Sequence, residues 1–149
     1  MVGLKRHLET RLRAAEELGA DYVVLADEGD PLSEIEKLTR GGADVVVECS
    51  GSPDAILLGL KAVRNLGKFV AIGIPPGAVS IPWRELVFKA PILQFHLSSK
   101  WTSWERALSL MERGSVRVKP MISTFDLSQW REAFEAAREG RIVKAVLLP

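Results

Sequence analysis

The sequence contains few of the residues from which disulfides and metal centres are built. It has one cysteine, Cys49, and two histidines, His7 and His96, among 149 residues. A single cysteine excludes an internal disulfide and a cysteine-rich zinc site, and the two histidines do not form a ligand-like pair. We therefore predict no metal site, and the scarcity of cysteine favours a reducing, cytoplasmic location.

Excess charge and long apolar runs are missing as well. The formal net charge is +1, so the composition indicates neither a nucleic-acid partner nor an anionic membrane surface. No apolar run reaches the roughly 18 residues of a membrane span, and the first residues lack the apolar centre of a signal peptide. The four tryptophans do not stand in a run of alternating basic and aromatic residues, so we expect them in a core or an interface rather than on a base-stacking surface.

Two segments do carry a clear pattern, that of a buried strand ending in small polar residues. Val45–Val47 is an unbroken β-branched run followed by Glu48–Gly51. This pattern predicts a strand covered on both faces, as in a parallel sheet. A second strand is predicted over 67–73, after a helix that starts near Pro53 and ends at Gly67. Because ligands of open α/β sheets bind beyond the carboxyl ends of the strands, the two turns form the candidate site.

Strand and helix patterns alternate along most of the chain. Further strands are predicted at about 2–4, 21–25, 91–97, 116–120 and 142–148, and helices at about 8–18, 31–38, 83–88, 104–111 and 130–137. A polar loop is predicted over 98–103, and Phe125–Ser128 is predicted to cap the last helix. This order predicts a doubly wound, mostly parallel α/β layer with helices on both faces, in one domain that covers residues 1–149.

Several short segments resemble, in their order and spacing, one known family. The succession Glu17–Asp21, Asp44–Gly51, Gly67–Gly73, Val118–Pro120 and Gly140–Lys144 is similar to the medium-chain dehydrogenase/reductase family, in particular its zinc-type alcohol, sorbitol and threonine dehydrogenases. The resemblance implies a Rossmann-like fold and an oxidoreductase that transfers hydride between an alcohol or polyol and NAD or NADP, with zinc polarising the oxygen.

The resemblance also shows what the sequence lacks. It begins at the family's second nucleotide-binding strand, so the first strand, the GxGxxG turn and the zinc-bearing catalytic domain are absent. We therefore expect the carboxyl-terminal part of such an enzyme, inactive by itself, with 141–149 as a strand whose family partner is the absent domain. Zinc belongs to the family but not to this chain. A natural remnant, a mispredicted start and an expressed piece stay open, as does a non-enzymatic dimeric or partner-binding module.

The resemblance implies cofactor contacts at several strand ends. The start of the chain matches the strand end that meets the adenosine ribose, where the basic residues favour NADP slightly over NAD. Other segments match the backbone around the nicotinamide, and one lysine matches a family residue that reaches the pyrophosphate. The candidate cofactor-binding residues are Gly3, Lys5, Arg6, Cys49, Ser50, Gly51, Ile72, Gly73, Ile74, Leu97, Ser98, Ser99 and Lys144.

No catalytic residue is predicted. Cys49 has no neighbouring base in sequence to form a thiolate. Glu48 could cap backbone amides or lie in the cleft, and since no second carboxylate accompanies it, we assign it no acid–base role.

The segment Pro91–Leu97 and the missing first strand both bear on partners. In many family members the corresponding strand pairs with its twin across a two-fold axis, so its apolar residues predict a homodimer with an isologous interface. Loss of the first strand would leave two inner edges unpaired. We hypothesise that either Ile142–Leu148 or a strand from another copy occupies that slot.

Overall fold

The computed structural model describes residues 1–149, and every strand in it pairs in parallel with its neighbour. Seven strands form three separate sheets, in the orders β1-β2, β3-β4-β5 and β6-β7. The strands are β1 Val2–Gly3, β2 Val24–Leu25, β3 Ala43–Glu48, β4 Val63–Ala71, β5 Ile92–Phe95, β6 Ile122–Asp126 and β7 Lys144–Leu148. The α-helices are α1 Arg13–Glu17, α2 Pro31–Thr39, α3 Pro53–Ala62, α4 Trp83–Lys89, α5 Trp101–Glu112 and α6 Trp130–Arg138.

The alternation of helices with parallel strands confirms the predicted α/β class. The residues group into two compact units, one formed by 1–28 with 99–149 and the other by 29–98. A single domain with an interrupted sheet and a pair of domains both produce such a grouping, so the one-domain prediction stays a prediction. None of the helices is long and apolar enough to cross a membrane.

The unit formed by 29–98 is a three-stranded sheet with helices packed on one face. α2 begins where the Asp30 carboxylate accepts a hydrogen bond from Ser33 N at 3.1 Å, with Pro31 in the first turn. From α3 and α4, Leu60 and Leu86 pack against Phe69 of the central strand β4 to form a buried core. Each βαβ crossover therefore covers the same side of the sheet.

The other face of this sheet is open, which makes the prediction of a strand covered on both faces wrong. Val45 and Val47 are each 55% exposed, and Ile92 of β5 is 61% exposed. The β-branched run correctly indicated a strand, because Val favours the pleated backbone whether or not both of its faces are covered.

The start of β4 also differs from the prediction. We expected α3 to continue to Gly67, but the helix ends at Ala62 and the strand begins at Val63, which is wholly buried. The register with β3 shifts at this point, since Ala43 pairs with Val63 and Val45 with Lys68. This bulge places Leu66 at a positive φ of 59°.

The unit formed by 1–28 and 99–149 holds two short parallel ladders. A 3₁₀ turn over 5–7 and a π-helical turn over 8–12 precede α1, so the predicted single helix over 8–18 is irregular at its start. Ala133 and Ala136 of α6 are buried, and the helix packs against β7. Asp126 and Gln129 form the capping box at the start of this helical segment, at the predicted cap position.

Two boundaries in this unit were predicted wrongly. The extended stretch expected over 116–120 is a loop and a 3₁₀ turn, and the strand β6 lies at 122–126 instead. Pro120 has no N–H for a ladder, whereas Ile122–Asp126 alternates between exposed and partly buried positions as an edge ladder requires. The predicted loop at 98–103 is shorter, because α5 already begins at Trp101.

The tryptophans do not fill a core. Trp83, Trp101, Trp104 and Trp130 are between 50% and 76% exposed, and α5 contains no buried residue. The core part of the prediction is therefore wrong, while an interface role stays a prediction.

The hypothesis that the terminal strand fills the missing slot is wrong as well. β7 pairs with β6 along its whole length, from Lys144 opposite Ile122 to Leu148 opposite Asp126. The strand β1 bonds only to β2, and β3 bonds only to β4. A strand from another copy stays a hypothesis.

Candidate functional site

Three parallel strands of the 29–98 unit end side by side. Glu48 lies opposite Ala71 of β4, and Ala71 lies opposite Phe95 of β5. The ladder extends one residue further on each side, since Ile72 N donates to Glu48 O and His96 N donates to Ala71 O, both at 2.9 Å. This edge is where the fold class places ligands.

Glu48 organises the turn that follows β3. Its carboxylate is buried, with the residue 5% exposed. Its Oε1 accepts hydrogen bonds from Ser50 N at 2.7 Å, Ser50 Oγ at 2.5 Å and Gly51 N at 3.0 Å. Because these donors supply the hydrogen bonds that burial of a carboxylate requires, Glu48 acts as a clamp on the turn. Of the two roles left open by the sequence, the structure supports amide capping.

Two glycines allow the turns after β3 and β4 to touch. A Cβ on Gly73 would lie 2.1 Å from Gly51 N, and a Cβ on Gly51 would lie 2.4 Å from Ile74 O. Gly51 also has a φ of +70°, which disfavours side chains. Both glycines are thus required by contact between protein backbones, so they are not by themselves evidence of space for a ligand.

The structure brings most of the predicted nicotinamide-side residues to one edge. The 29–98 unit contains Cys49, Ser50, Gly51, Ile72, Gly73, Ile74, Leu97 and Ser98. The first six form the two touching turns, and Leu97 and Ser98 follow the neighbouring strand β5. Ile74 and Leu97 are 73% and 84% exposed, so this edge presents apolar side chains as well as backbone groups.

The remaining predicted residues belong to the other unit. Gly3, Lys5, Arg6, Ser99 and Lys144 all lie within 1–28 or 99–149. Gly3 ends β1, whereas Lys144 begins β7, and these strands belong to different sheets.

Lys5 is engaged by an acidic pair that the sequence analysis missed. Lys5 Nζ lies 2.6 Å from Glu28 Oε1, and Lys5 N donates to Asp27 Oδ1 at 2.8 Å. The hydrogen bond and charge of Glu28 raise the pKa of Lys5. The signal was the acidic turn after β2: β1 and β2 are parallel neighbours, so their ends share one edge. Because its ammonium group is already paired, Lys5 is a weaker candidate for binding the 2′-phosphate of NADP.

Cys49 lies on the surface of the turn, but its surroundings favour the protonated thiol over the reactive thiolate. Partial burial, followed by the charge of Glu48, raises the pKa of Cys49. A raised pKa is the opposite of what a nucleophilic cysteine needs. No three His, Cys, Asp or Glu side chains come together to hold a metal ion.

A cleft of about 260 Å³ lies elsewhere in the structure. It is lined in part by Thr10, Arg13, Ser123 and Arg141 of the 1–28 and 99–149 unit. Its arginines are paired, Arg13 with Glu17 at 3.4 Å and Arg141 with Glu139 at 2.7 Å. None of the candidate cofactor-binding residues lines it.

A parallel α/β fold with glycine-supported turns at the strand ends is the general class of a nucleotide-binding domain. Residues 4–113 match the family model described as zinc-binding dehydrogenase. The chain therefore belongs to the zinc-binding dehydrogenase family, which confirms the resemblance predicted from the sequence.

Individual relatives agree with this assignment. L-threonine 3-dehydrogenase of Bacillus licheniformis is 34% identical over 145 residues, which are 95% of this chain and 42% of the relative. Sorbitol dehydrogenase of Halalkalibacterium halodurans is 31% identical over 144 residues, with the same two shares. The crystal structure of 2R,3R-butanediol dehydrogenase from Bacillus subtilis matches with a TM-score of 0.85 and 26% identity, covering 99% of this chain and 42% of that chain. The chain thus spans less than half the length of the relatives it matches.

Proposed function

We propose that this chain is the carboxyl-terminal nucleotide-binding portion of a zinc-type, NAD(P)-dependent dehydrogenase that oxidises alcohols or polyols. The observation that carries the proposal is the edge at which β3, β4 and β5 end in register, with Glu48 holding one turn and Gly73 seated against it. Such an edge offers backbone donors and acceptors for a nicotinamide carboxamide. The substrates named for the relatives, threonine, sorbitol and butanediol, share the alcohol group that the proposed reaction oxidises.

In this proposal the chain by itself does not catalyse the oxidation of an alcohol. The bound dinucleotide supplies hydride transfer, and zinc in the family polarises the alcohol. This chain supplies the surface at the ends of β3, β4 and β5 that contacts the nicotinamide end of the dinucleotide. Without a Gly-rich turn to hold the pyrophosphate, we expect weak binding of the dinucleotide by the isolated chain.

Between the two cofactors, the proposal favours NADP only slightly. Arg6, in the 3₁₀ turn that follows β1, is the residue we assign to a 2′-phosphate, because a guanidinium matches phosphate geometry. Lys5 contributes less, since Glu28 holds its ammonium.

The test is a calorimetric titration of the chain with NADH and NADPH. We expect weak, saturable binding that Gly73→Ala abolishes, because the added Cβ would separate the two turns. Gly77→Ala is the matched control: nothing lies within 4 Å of a Cβ at that position, so binding should persist. A folded chain that binds neither dinucleotide would overturn the nucleotide-binding role. Oxidation of threonine or sorbitol by the chain alone, with added zinc and with NAD⁺ or NADP⁺ as hydride acceptor, would overturn the proposed inactivity.

A second function, that of a dimeric or partner-binding module, is favoured by the apolar edge of the 29–98 sheet. β5 bonds only to β4 and leaves its other side unpaired. Phe95 and Leu97 at this edge are 77% and 84% exposed. We propose that this edge pairs with its twin in a homodimer, which also covers an unprotected strand.

A further inference from the structure

The cleft of about 260 Å³ in the 1–28 and 99–149 unit is lined by charges of both signs. Glu9, Arg13 and Glu17 line it from the helical segment 8–17, and Arg141 lines it from the stretch before β7. Two carboxylates and two guanidiniums therefore share one lining, whose formal charge is zero. We call this site the mixed-charge cleft.

The ion pairs within the lining are loose. Arg13 Nη1 lies 4.0 Å from Glu9 Oε2, and Arg13 Nε lies 3.4 Å from Glu17 Oε1. Both distances exceed the roughly 2.7–2.9 Å of a charge-assisted hydrogen bond. The three side chains are at least 54% exposed, and ion pairs exposed to solvent contribute little to stability. An ionic ligand that replaces such a contact therefore meets little resistance.

Arg141 is held in place and still has donors for a ligand. Its Nε donates to Glu139 Oε2 at 2.7 Å, and Glu139 is not part of the lining. A guanidinium carries further N–H donors in the same planar fork. These donors are left for a carboxylate in the cleft, which is the group that the geometry of an arginine matches.

The rest of the lining suits a short apolar group. Ala14 is buried, Ile142 and Val143 are half-buried, and Thr10 and Ser123 add hydroxyl groups. The volume is below the roughly 300–1,000 Å³ of sites that hold drug-sized molecules. The ligand that fits this cleft is therefore small, with ionic groups and a compact apolar part.

A ligand with charge of one sign does not satisfy this lining. A simple anion that binds the arginines also lies near Glu9 and Glu17, and a simple amine that binds the carboxylates also lies near the arginines. Both arrangements place like charges beside each other, which opposes binding. A zwitterion, in contrast, offers a partner to each sign of charge.

We infer that the mixed-charge cleft binds a small free α-amino acid with an apolar side chain. The carboxylate of the ligand accepts hydrogen bonds from Arg141, and its side chain packs against Ile142 and Val143. Its ammonium group pairs with Glu9, because Glu9 lies further from Arg13 than Glu17 does. The inference goes beyond the proposed function, since none of the residues assigned to the dinucleotide lines this cleft.

The experiment uses L-valine, which has no hydroxyl group and is therefore not a substrate of the proposed dehydrogenase. Two comparison ligands each lack one charge: 3-methylbutanoate is valine without its ammonium group, and 2-methylpropylamine is valine without its carboxylate. Binding to the whole chain is measured by saturation-transfer difference NMR at pH 7. No dinucleotide or zinc is present, so the result is independent of cofactor binding.

We expect saturable binding of L-valine with a dissociation constant on the order of 1 mM, because exposed ion pairs are weak. Both comparison ligands should bind about tenfold more weakly. Glu9→Gln should weaken valine binding about tenfold and bring valine and 3-methylbutanoate within about twofold of each other, since the ammonium group then lacks its partner. Arg141→Gln should do the same for valine and 2-methylpropylamine.

The matched controls are Glu16→Gln and Arg138→Gln, which remove exposed charges outside the lining. They should leave the affinity for valine within about twofold. Thermal melting curves verify that each variant is folded.

Three results would overturn the inference. The folded chain could fail to bind L-valine saturably, or the two comparison ligands could bind as tightly as valine. The third result is an equal effect of the lining and control substitutions, which would mean that valine binds elsewhere on the chain.

Discussion

Glu48 is a buried carboxylate whose hydrogen-bond partners are two amides and a hydroxyl of its own turn. A buried carboxylate is tolerated only while its oxygens accept hydrogen bonds from neighbouring donors. The same residue therefore links local stability to the geometry of the candidate site, because the turn it holds also contains Cys49.

Glu48→Gln should destabilise the chain by about 1–3 kcal/mol, because an amide NH₂ would face donors that now meet a carboxylate oxygen. The measurement is urea unfolding followed by circular dichroism. Glu105→Gln, an exposed position on α5, is the control and should change stability by less than about 0.5 kcal/mol. Equal effects of the two substitutions on stability would contradict the conclusion that the hydrogen bonds of Glu48 hold the turn.

Cys49 should react slowly with iodoacetamide near neutral pH although its side chain is exposed. Partial burial and the Glu48 charge raise its pKa above the ordinary 9.0, so thiolate should accumulate only in more alkaline solution. We expect the alkylation rate at pH 8 to be lower in the folded chain than in the urea-unfolded chain. Because the folded form holds its proton more tightly, stability should decrease as the pH rises from the unfolded-state pKa through the folded-state pKa. An alkylation rate in the folded chain equal to that in the unfolded chain would contradict the raised pKa of Cys49.

The roles of some residues could be predicted from the sequence, whereas those of others depend on which strands pair and in what register. Glu48 was recognised as a possible amide cap from its place at a strand end, but its three donors became visible only with the turn. The engagement of Lys5 by Glu28 joins residues 23 positions apart. It depends on the pairing of β1 with β2, which local patterns do not reveal.

At the scale of elements, local signals predicted best where the chain carries its own caps. α2 begins at Asp30 and Pro31, and the last helical segment begins at the Asp126 capping box, both at expected positions. The strand β6 was not predicted, because it begins only two residues after Pro120 and its five residues carry only a short alternation. The Val45–Val47 run predicted a strand correctly, but its coverage depends on what packs against it.

The edge strand β5 leads to a prediction about self-association. Phe95→Lys should weaken the proposed homodimer at least tenfold, because a charge would enter the centre of an apolar edge contact. Size-exclusion chromatography with light scattering over a range of concentrations gives the mass. Tyr22→Lys is the control, since Tyr22 is 60% exposed in the other unit and should leave the dimer intact. A monomer at all concentrations for the unsubstituted chain would exclude the dimer.

At the scale of the whole molecule, the sequence predicted the fold class and the family, and the parallel pairing together with the family match supports both. The missing first strand predicted two unpaired inner edges, but nothing in the sequence predicted that β6 and β7 would form a sheet of their own. The periodicity of a strand records its own backbone and side chains, whereas a missing neighbour leaves no mark in that periodicity. The same reason explains why the sequence could not decide between the terminal strand and a strand from another copy as the occupant of the missing slot, of which the structure excludes the first.

Each pairing of strands in this chain joins neighbours in sequence: β1 with β2, β3 with β4, β4 with β5 and β6 with β7. No ladder has to wait for a distant segment to return, so the loop-closure entropy of each is small. The paired residues are nevertheless 20 to 24 positions apart, and non-local parallel pairing of this kind slows folding. Each ladder should therefore form only after its whole crossover segment has been synthesised.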